Sequence, residues 1–359
     1  MDSKIVLVAP LNWGLGHATR VIPLIDSLYK HQFSVIIAAD GKALRLLKQE
    51  FPETPCFRLP DIDVFYSPKH VFLKICLQIP KIFIKSIVEH FKLKKIVKKY
   101  PVDMIISDNR YGVWNKKTYN IFISHQLKLR LPKSISFLSF IYPLMLKLSL
   151  KPYDEYWVPD FEPGKDFSGL LSHHLSGFSS VKYVGVLSRF NRYLNGETMK
   201  KKYDILVILS GPEPQRTIFE NIIFQQAEDK DIKVAIVRGV EQKEDVKSSA
   251  DVFGVVHAEP LFHLIKQSGL VVCRAGYSSI MDLYVAGAQA VLVPTPGQTE
   301  QEYLAAYLKQ KGYFYSATQQ NFSLDNALTE AKNFAPPRYE QKDNERLEKE
   351  ISNLKLKLP

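Results

Sequence analysis

Cysteine is scarce: Cys56, Cys76 and Cys273 are the three in 359 residues, far apart and odd in number. That argues against a disulfide framework and a thiolate metal site, and points to a reducing compartment. An apolar run of the ~20 residues that a spanning helix needs is also missing. The uncharged run Ser134 to Leu146 is shorter and contains Pro143. Low-complexity tracts are absent. The first residues, Met1 to Lys4, lead into a short apolar run and a glycine-rich turn, with no small-residue cleavage site of a signal peptide. A cytoplasmic protein is expected, with peripheral contact on the inner face of a membrane as the most it could make.

Net charge is missing from one half only. Residues 1 to 165 hold 25 Lys and Arg against 14 Asp and Glu, whereas 166 to 359 hold 23 of each, so the whole excess of +11 lies in the first half. Nine lysines fall between Lys69 and Lys99 against one acid, Glu89. Such density suits an anionic partner. The same stretch has an apolar face, Val71, Phe72, Ile75 and Ile79, then, after Pro80, Ile82, Phe83, Ile87 and Phe91. Two readings fit it equally: an anionic membrane surface, or a pair of amphipathic helices packed on a sheet with a solvated lysine face.

The length exceeds what one core usually serves, and the 46% hydrophobic content is that of a folded protein. Residues 4–9, 33–38, 103–107 and 120–124 read as short parallel strands, with helices over 18–30 and 42–49. A second set follows: strands at 204–209, 233–237, 252–256, 270–273 and 290–293, with helices from about Gln215, at 260–267 and at 278–286. Alternation of this kind implies an α/β protein with two Rossmann-like domains. The expected boundaries are an N-terminal acceptor domain over 1–188, a linker over 189–202 that is polar and contains Asn195-Gly196, a C-terminal donor domain over 203–335, and a helical tail over 336–359.

Two motifs carry chemistry. The first runs from Asn12 through Gly14, Gly16 and His17 to Arg20, between the first strand and the first helix. Gly14 and Gly16 allow a sharp turn and close approach to a ligand, and the helix start that follows favours negative charge. His17 sits where a neutral imidazole can take a proton near neutral pH; the plainer reading is a tight turn with a capping histidine. The second motif runs Cys273, Arg274, Ala275, Gly276, Tyr277, Ser278, Ser279, then Asp282, Gly287 and a strand ending at Pro294, then Thr295 to Glu302. Ser278 and Ser279, with the helix dipole, can hold a diphosphate without a metal, and Asp282 can accept from vicinal hydroxyls. Blandly, Ser279 and Asp282 form a capping box.

Together these motifs resemble glycosyltransferase family 28, the MurG-like enzymes. The resemblance implies the GT-B fold, two Rossmann-like domains facing across a cleft, and transfer of a sugar from a nucleotide diphosphate, with a lean toward UDP, to an acceptor hydroxyl. Inversion at the anomeric carbon and no metal or other cofactor are implied as well. Asp282 resembles the acid that holds the donor ribose; Gly276, Ser278 and Ser279 resemble the diphosphate-binding helix start. Gln301 resembles the first of two glutamines on the sugar, the second being Glu302 here. Ala258 resembles the base-reading position, Ser210 and Gly211 the other glycine-rich turn, Arg189 an arginine near the phosphates, and His125-Gln126 an acceptor-side motif without its glutamate. Trp13 and Leu15 depart from the small residues of the family, and Arg20 follows His17 at the spacing of related nucleotide-sugar hydrolases.

His17 and Asp108 are the candidate catalytic bases, Asp108 having the alternative of a loop cap. The expected partners are the nucleotide-sugar donor, a lipid-linked or glycan acceptor, and an anionic membrane surface through Lys69 to Lys99, with no nucleic acid. Asp61-Ile62-Asp63 has metal-motif spacing without the matching context, so no metal is assigned there. Two rival functions remain: a nucleotide-sugar hydrolase of the same fold, and a non-catalytic binder of anionic glycans or lipids.

Overall fold

The computed structural model describes residues 3–60, 71–128, 141–173, 180–194, 199–228, 230–240 and 248–357, with the backbone alone for 71–83 and 141–143. Asp61 to Asp63, Lys69, Asn195-Gly196 and most of the run from Ser134 lie outside the described residues. The chain divides into two units, Met1–Leu187 with Glu340–Pro359, and Ser188–Tyr339.

The first unit contains β1 (Ile5–Pro10), α1 (Gly16–Lys30), β2 (Ser34–Ala39), α2 (Gly41–Glu50), β3 (Cys56–Arg58), α3 (Val71–Lys99), β4 (Met104–Asp108), β5 (Tyr119–Ile123), α4 (Ile141–Leu150), β6 (Glu155–Val158) and β7 (Val181–Tyr183). Its seven strands are all parallel, in the order β3-β2-β1-β4-β5-β6-β7. Buried strands of a parallel sheet are apolar on both faces. Along β1, Val6 and Val8 join Val21, Leu24, Ile25 and Leu28 of α1 in one cluster, while Leu7 and Ala9 join Leu93 of α3 on the other face.

The second unit contains β8 (Tyr203–Ile208), α5 (Gln215–Ala227), β9 (Val234–Val237), β10 (Asp251–Phe253), α6 (Ala258–Lys266), β11 (Ser268–Cys273), α7 (Tyr277–Ala286), β12 (Ala290–Leu292), α8 (Thr299–Gln310), β13 (Tyr315–Ser316) and α9 (Leu324–Glu330). Its sheet is parallel in the order β10-β9-β8-β11-β12-β13. In both units the strand order reverses beside the first strand. Ligands of open α/β sheets bind at that switch point, outside the carboxyl ends of the strands. Both sequence motifs lie there: the loop after β1 next to that after β4, and the loop after β8 next to that after β11.

Three sequence expectations are corrected. The segment 189–202 is not a plain linker: Arg189–Tyr193 is a 3-10 helix whose Phe190 is fully buried against Phe262, ring centroids 5.3 Å apart, and Ser188 Oγ caps it by accepting from Phe190 N at 3.1 Å. One buried aromatic leaves no periodicity to read. The stretch 336–359 is not one tail, because its last helix, α10 (Lys342–Leu354), packs Leu347, Ile351 and Leu354 into the core around α1 of the first unit. Gly185, at φ +76°, lets it pass: a Cβ there would lie 2.7 Å from Asp343 O. Finally, α3 is one helix that continues through Pro80 rather than two.

Candidate functional site

In the first unit four side chains meet at the ends of β1, β4 and β5. Leu11 N donates to Asp108 O at 3.1 Å, tying the loop after β1 to the end of β4, and α1 starts at Gly16 so that His17 and Arg20 face the same point. His17 Nδ1 lies 3.1 Å from Asp108 Oδ2. Arg20 Nε donates to the same oxygen at 2.8 Å, and its Nη2 donates to Asp108 Oδ1. Arg20 Nη2 also lies 2.7 Å from His17 Nδ1, and its Nη1 donates to His125 Nδ1 at 2.8 Å. All four residues are buried. By contrast Trp13 and Leu15, on the same loop, are exposed.

The electrostatics of the cluster separate the two candidate bases. Burial alone would push the Asp108 carboxyl up, but the Arg20 guanidinium and then His17 more than offset it and hold the group at about 2. Near neutral pH Asp108 is therefore an anion bound to Arg20 and His17, a weak base, and its carboxylate is turned to these two side chains rather than to the loop backbone. Burial, then the Arg20 charge, holds His17 below its ordinary range against the upward pull of Asp108. A neutral imidazole is the result.

In the second unit the residues after β8, β11 and β12 come together at Gly211, Arg274 and Thr295. Gly211 has φ +97°, and a Cβ on it would lie 3.3 Å from Thr295 Oγ1 and 4.0 Å from Arg274 Nε. Both of those atoms are buried and have no hydrogen-bond partner among the described residues. Arg274 is held by the rest of its guanidinium, which donates to Gln215 O at 2.8 Å and Gln319 Oε1 at 2.7 Å and stacks on Phe219. Burial brings its pKa down only to about 10, so it keeps its charge near neutral pH. Arg274 and Thr295 carry no role in the sequence motifs; a charged residue directly after a buried strand is the available signal. Ser210 is exposed beside Gly211.

Gly276 is the N-cap of α7, with no side-chain cap. Asp282, one turn in, does not cap it: its carboxylate accepts from Ser188 Oγ at 2.6 Å and Arg189 Nε at 3.2 Å. The capping-box reading of Ser279 and Asp282 is thus overturned. Ser278 and Ser279 occupy the first turn of α7, partly exposed. Burial pushes the Asp282 carboxyl up, with Arg189 and Ser188 pulling it part of the way back. Arg189 is therefore engaged by a carboxylate. Ala258 opens α6 behind His257, where a backbone N–H has no partner within its own helix. Gln301 and Glu302 brace their own turn: Gln301 Oε1 accepts from Thr295 N at 2.9 Å, its Nε2 donates to Gln298 Oε1, and Glu302 Oε1 accepts from Gly297 N at 2.8 Å.

A sequence model of the glycosyltransferase family 28 C-terminal domain matches residues 205–355. No curated protein matches the chain in sequence. Among solved structures, the glycotransferase of kitacinnamycin is similar at TM-score 0.66 and 14% identity, with 100% of both chains covered. The spinosyn rhamnosyltransferase SpnG complexed with thymidine diphosphate gives TM-score 0.60 at 12% identity over 99% of this chain and 97% of that one. MurG of Acinetobacter baumannii gives 0.58 at 13% identity over 99% and 100%. The fold is GT-B, and the family resemblance seen in the motifs is borne out over the C-terminal half.

Proposed function

We propose that this chain, whose C-terminal half matches a glycosyltransferase family 28 domain on a GT-B fold, transfers a sugar from a nucleoside diphosphate, with uridine the favoured base, to an acceptor hydroxyl, with inversion and without a metal ion. The observation that carries this reading is the pair of partnerless buried atoms, Arg274 Nε and Thr295 Oγ1, beside Gly211. Donors shut away from water without an acceptor cost free energy, and a diphosphate oxygen drawn in beside Gly211 would supply one. The uncapped start of α7 adds backbone N–H groups and its dipole on the same edge of the sheet. Held so, a diphosphate leaves with its charge already compensated, which is the task a metal would otherwise perform.

In this reading the ribose hydroxyls donate to Asp282 in place of Ser188 Oγ and Arg189 Nε. Arg189, once released, has a phosphate within its reach as an alternative anion. Gln301 and Glu302 would meet the sugar only after giving up their contacts with the turn. The acceptor hydroxyl attacks the anomeric carbon, its proton passes to His17 Nε2, and the bonding electrons of the old glycosidic link depart on the diphosphate. For Nε2 to accept, Nδ1 must carry the ring's other proton and donate it to Asp108 Oδ2. The exposed Trp13 and Leu15 suit an acceptor with an apolar part.

An anionic membrane surface is the proposed neighbour of α3. Ile84, Ile87, Val88 and Phe91 are exposed on one face, while Leu93 packs against the sheet. Lys92, Lys94, Lys95, Lys98 and Lys99 are also exposed. The one acid of the stretch, Glu89, is buried against Arg110, so it does not dilute that charge. No helix among the described residues is long and apolar enough to cross a membrane.

The test is turnover of a panel of nucleotide sugars in chelator, followed by mass spectrometry with and without glycan and lipid-linked acceptors. A product heavier than the acceptor by one sugar supports transfer. Free sugar released at the same rate without acceptor identifies the hydrolase instead, and activity only after metal is restored contradicts the metal-free reading.

A further inference from the structure

His17 has a neighbour that a simple histidine–carboxylate pair lacks. A carboxylate 3.1 Å from an imidazole draws a proton onto the ring, and an imidazolium cannot act as a base. Here the guanidinium of Arg20 lies beside both, donating two hydrogen bonds to Asp108 and lying 2.7 Å from the same ring nitrogen of His17. A guanidinium cannot give up its proton in a protein, so this charge is fixed. The spacing is local in origin: Arg20 lies one turn of α1 beyond His17, and residues three apart share a helix face.

We propose that Arg20, through its contacts with both partners, is a positioning residue that opposes protonation of His17 by Asp108 and holds Asp108 ionised, so that the His17 ring stays available as a base. The inference rests on the reading of His17 as the base and extends it. Among the described residues, the titratable and charged groups acting on the imidazole are Arg20 from α1, Asp108 from the end of β4, and His125 from the segment after β5. Burial disfavours the charged ring most, and Arg20 and Asp108 act on it in opposite directions, Arg20 against protonation and Asp108 for it. Arg20 Nη1 also lies 2.8 Å from His125 Nδ1, which ties the end of β5 to the cluster.

The experiment is a nitrogen-detected NMR titration of the histidine rings in the whole protein, which needs no substrate. In the native protein His17 titrates below the ordinary histidine range. In Arg20→Met its midpoint rises by about one pH unit or more, because the carboxylate is left unopposed. Arg20→Lys keeps the charge and restores most of the low midpoint. Should Arg20→Met not fold, Asp108→Asn serves: with Arg20 still present, removal of the anion lowers the midpoint further. A His17 midpoint that stays in place in folded Arg20→Met, or that rises in Asp108→Asn, overturns the proposal. The base reading is scored separately by the same spectra: a proton on Nδ1 of native His17 agrees with it. A proton on Nε2, with Nδ1 accepting from Arg20, removes the base while leaving the electrostatic role of Arg20 intact.

Discussion

At Asp282, two internal hydrogen bonds stand where a ribose would bind, and at Thr295 a hydroxyl stands with none. Both residues bear on diphosphate binding, and Thr295 bears on stability as well. Asp282→Ala removes a charged acceptor, so diphosphate binding should weaken by about 10- to 100-fold in calorimetry. Thr295→Val exchanges an unsatisfied hydroxyl for a methyl, so the melting temperature should hold or rise while diphosphate affinity falls. A Thr295→Val protein that melts earlier would mean the hydroxyl is satisfied in solution. In the first unit, His17→Ala should lower turnover by about 10²- to 10⁴-fold, the usual worth of a general base. Asp108 carries a stability signature as well. Its carboxyl is depressed from an ordinary 3.8 to about 2, so its stabilising effect is present above the unfolded value and is lost as the pH falls from 3.8 toward 2. Asp108→Asn should flatten that acid limb in pH-dependent unfolding.

The elements explain which parts of the site could be read in advance. Strands buried on both faces gave strong apolar runs, and the loops after β1, β8 and β11 were marked by glycine and small residues, so Gly14, Gly16, Gly211 and Gly276 were legible. What one sequence hides is the partner of each polar group. Ser279 and Asp282 have the spacing of a capping box, but a carboxylate buried in the second turn of α7 is claimed by Ser188 and Arg189, more than ninety residues earlier. Asp108 read equally well as base or cap because Arg20, which decides the matter, comes from another element. On α3 the single acid among the lysines is explained by Arg110, whose Nη2 also donates to Leu59 O and Pro60 O at 3.1 and 2.7 Å. The exposed face of the helix predicts sedimentation with vesicles rich in anionic lipid. Ile87→Glu with Phe91→Glu should abolish it without shifting the melting temperature, since both side chains are exposed. Equal binding to neutral vesicles would argue against the lysines.

For the whole molecule, the duplication of a parallel sheet with its switch point was legible from alternating strands and helices, and its ownership of the chain ends was not. Helix α10 shows the typical spacing of an amphipathic helix, yet spacing does not say against which unit the apolar face is laid. Its Glu348 accepts from Ser27 Oγ at 2.8 Å and pairs with His31, and Lys165 pairs with Asp343, which fasten it to the first unit. Each of Leu347, Ile351 and Leu354 stabilises that unit by about 1.5–3 kcal/mol through burial. A chain ending at Tyr339 should accordingly lose the fold of the first unit.

The central claim is a metal-free nucleoside diphosphate site in the second unit, and calorimetric titration with UDP, dTDP, GDP and CDP in the presence of chelator tests it most directly. The account predicts saturable binding of one of the four, UDP foremost, that weakens in both Asp282→Ala and Thr295→Val. Absence of binding by all four, or binding indifferent to both substitutions, would contradict it.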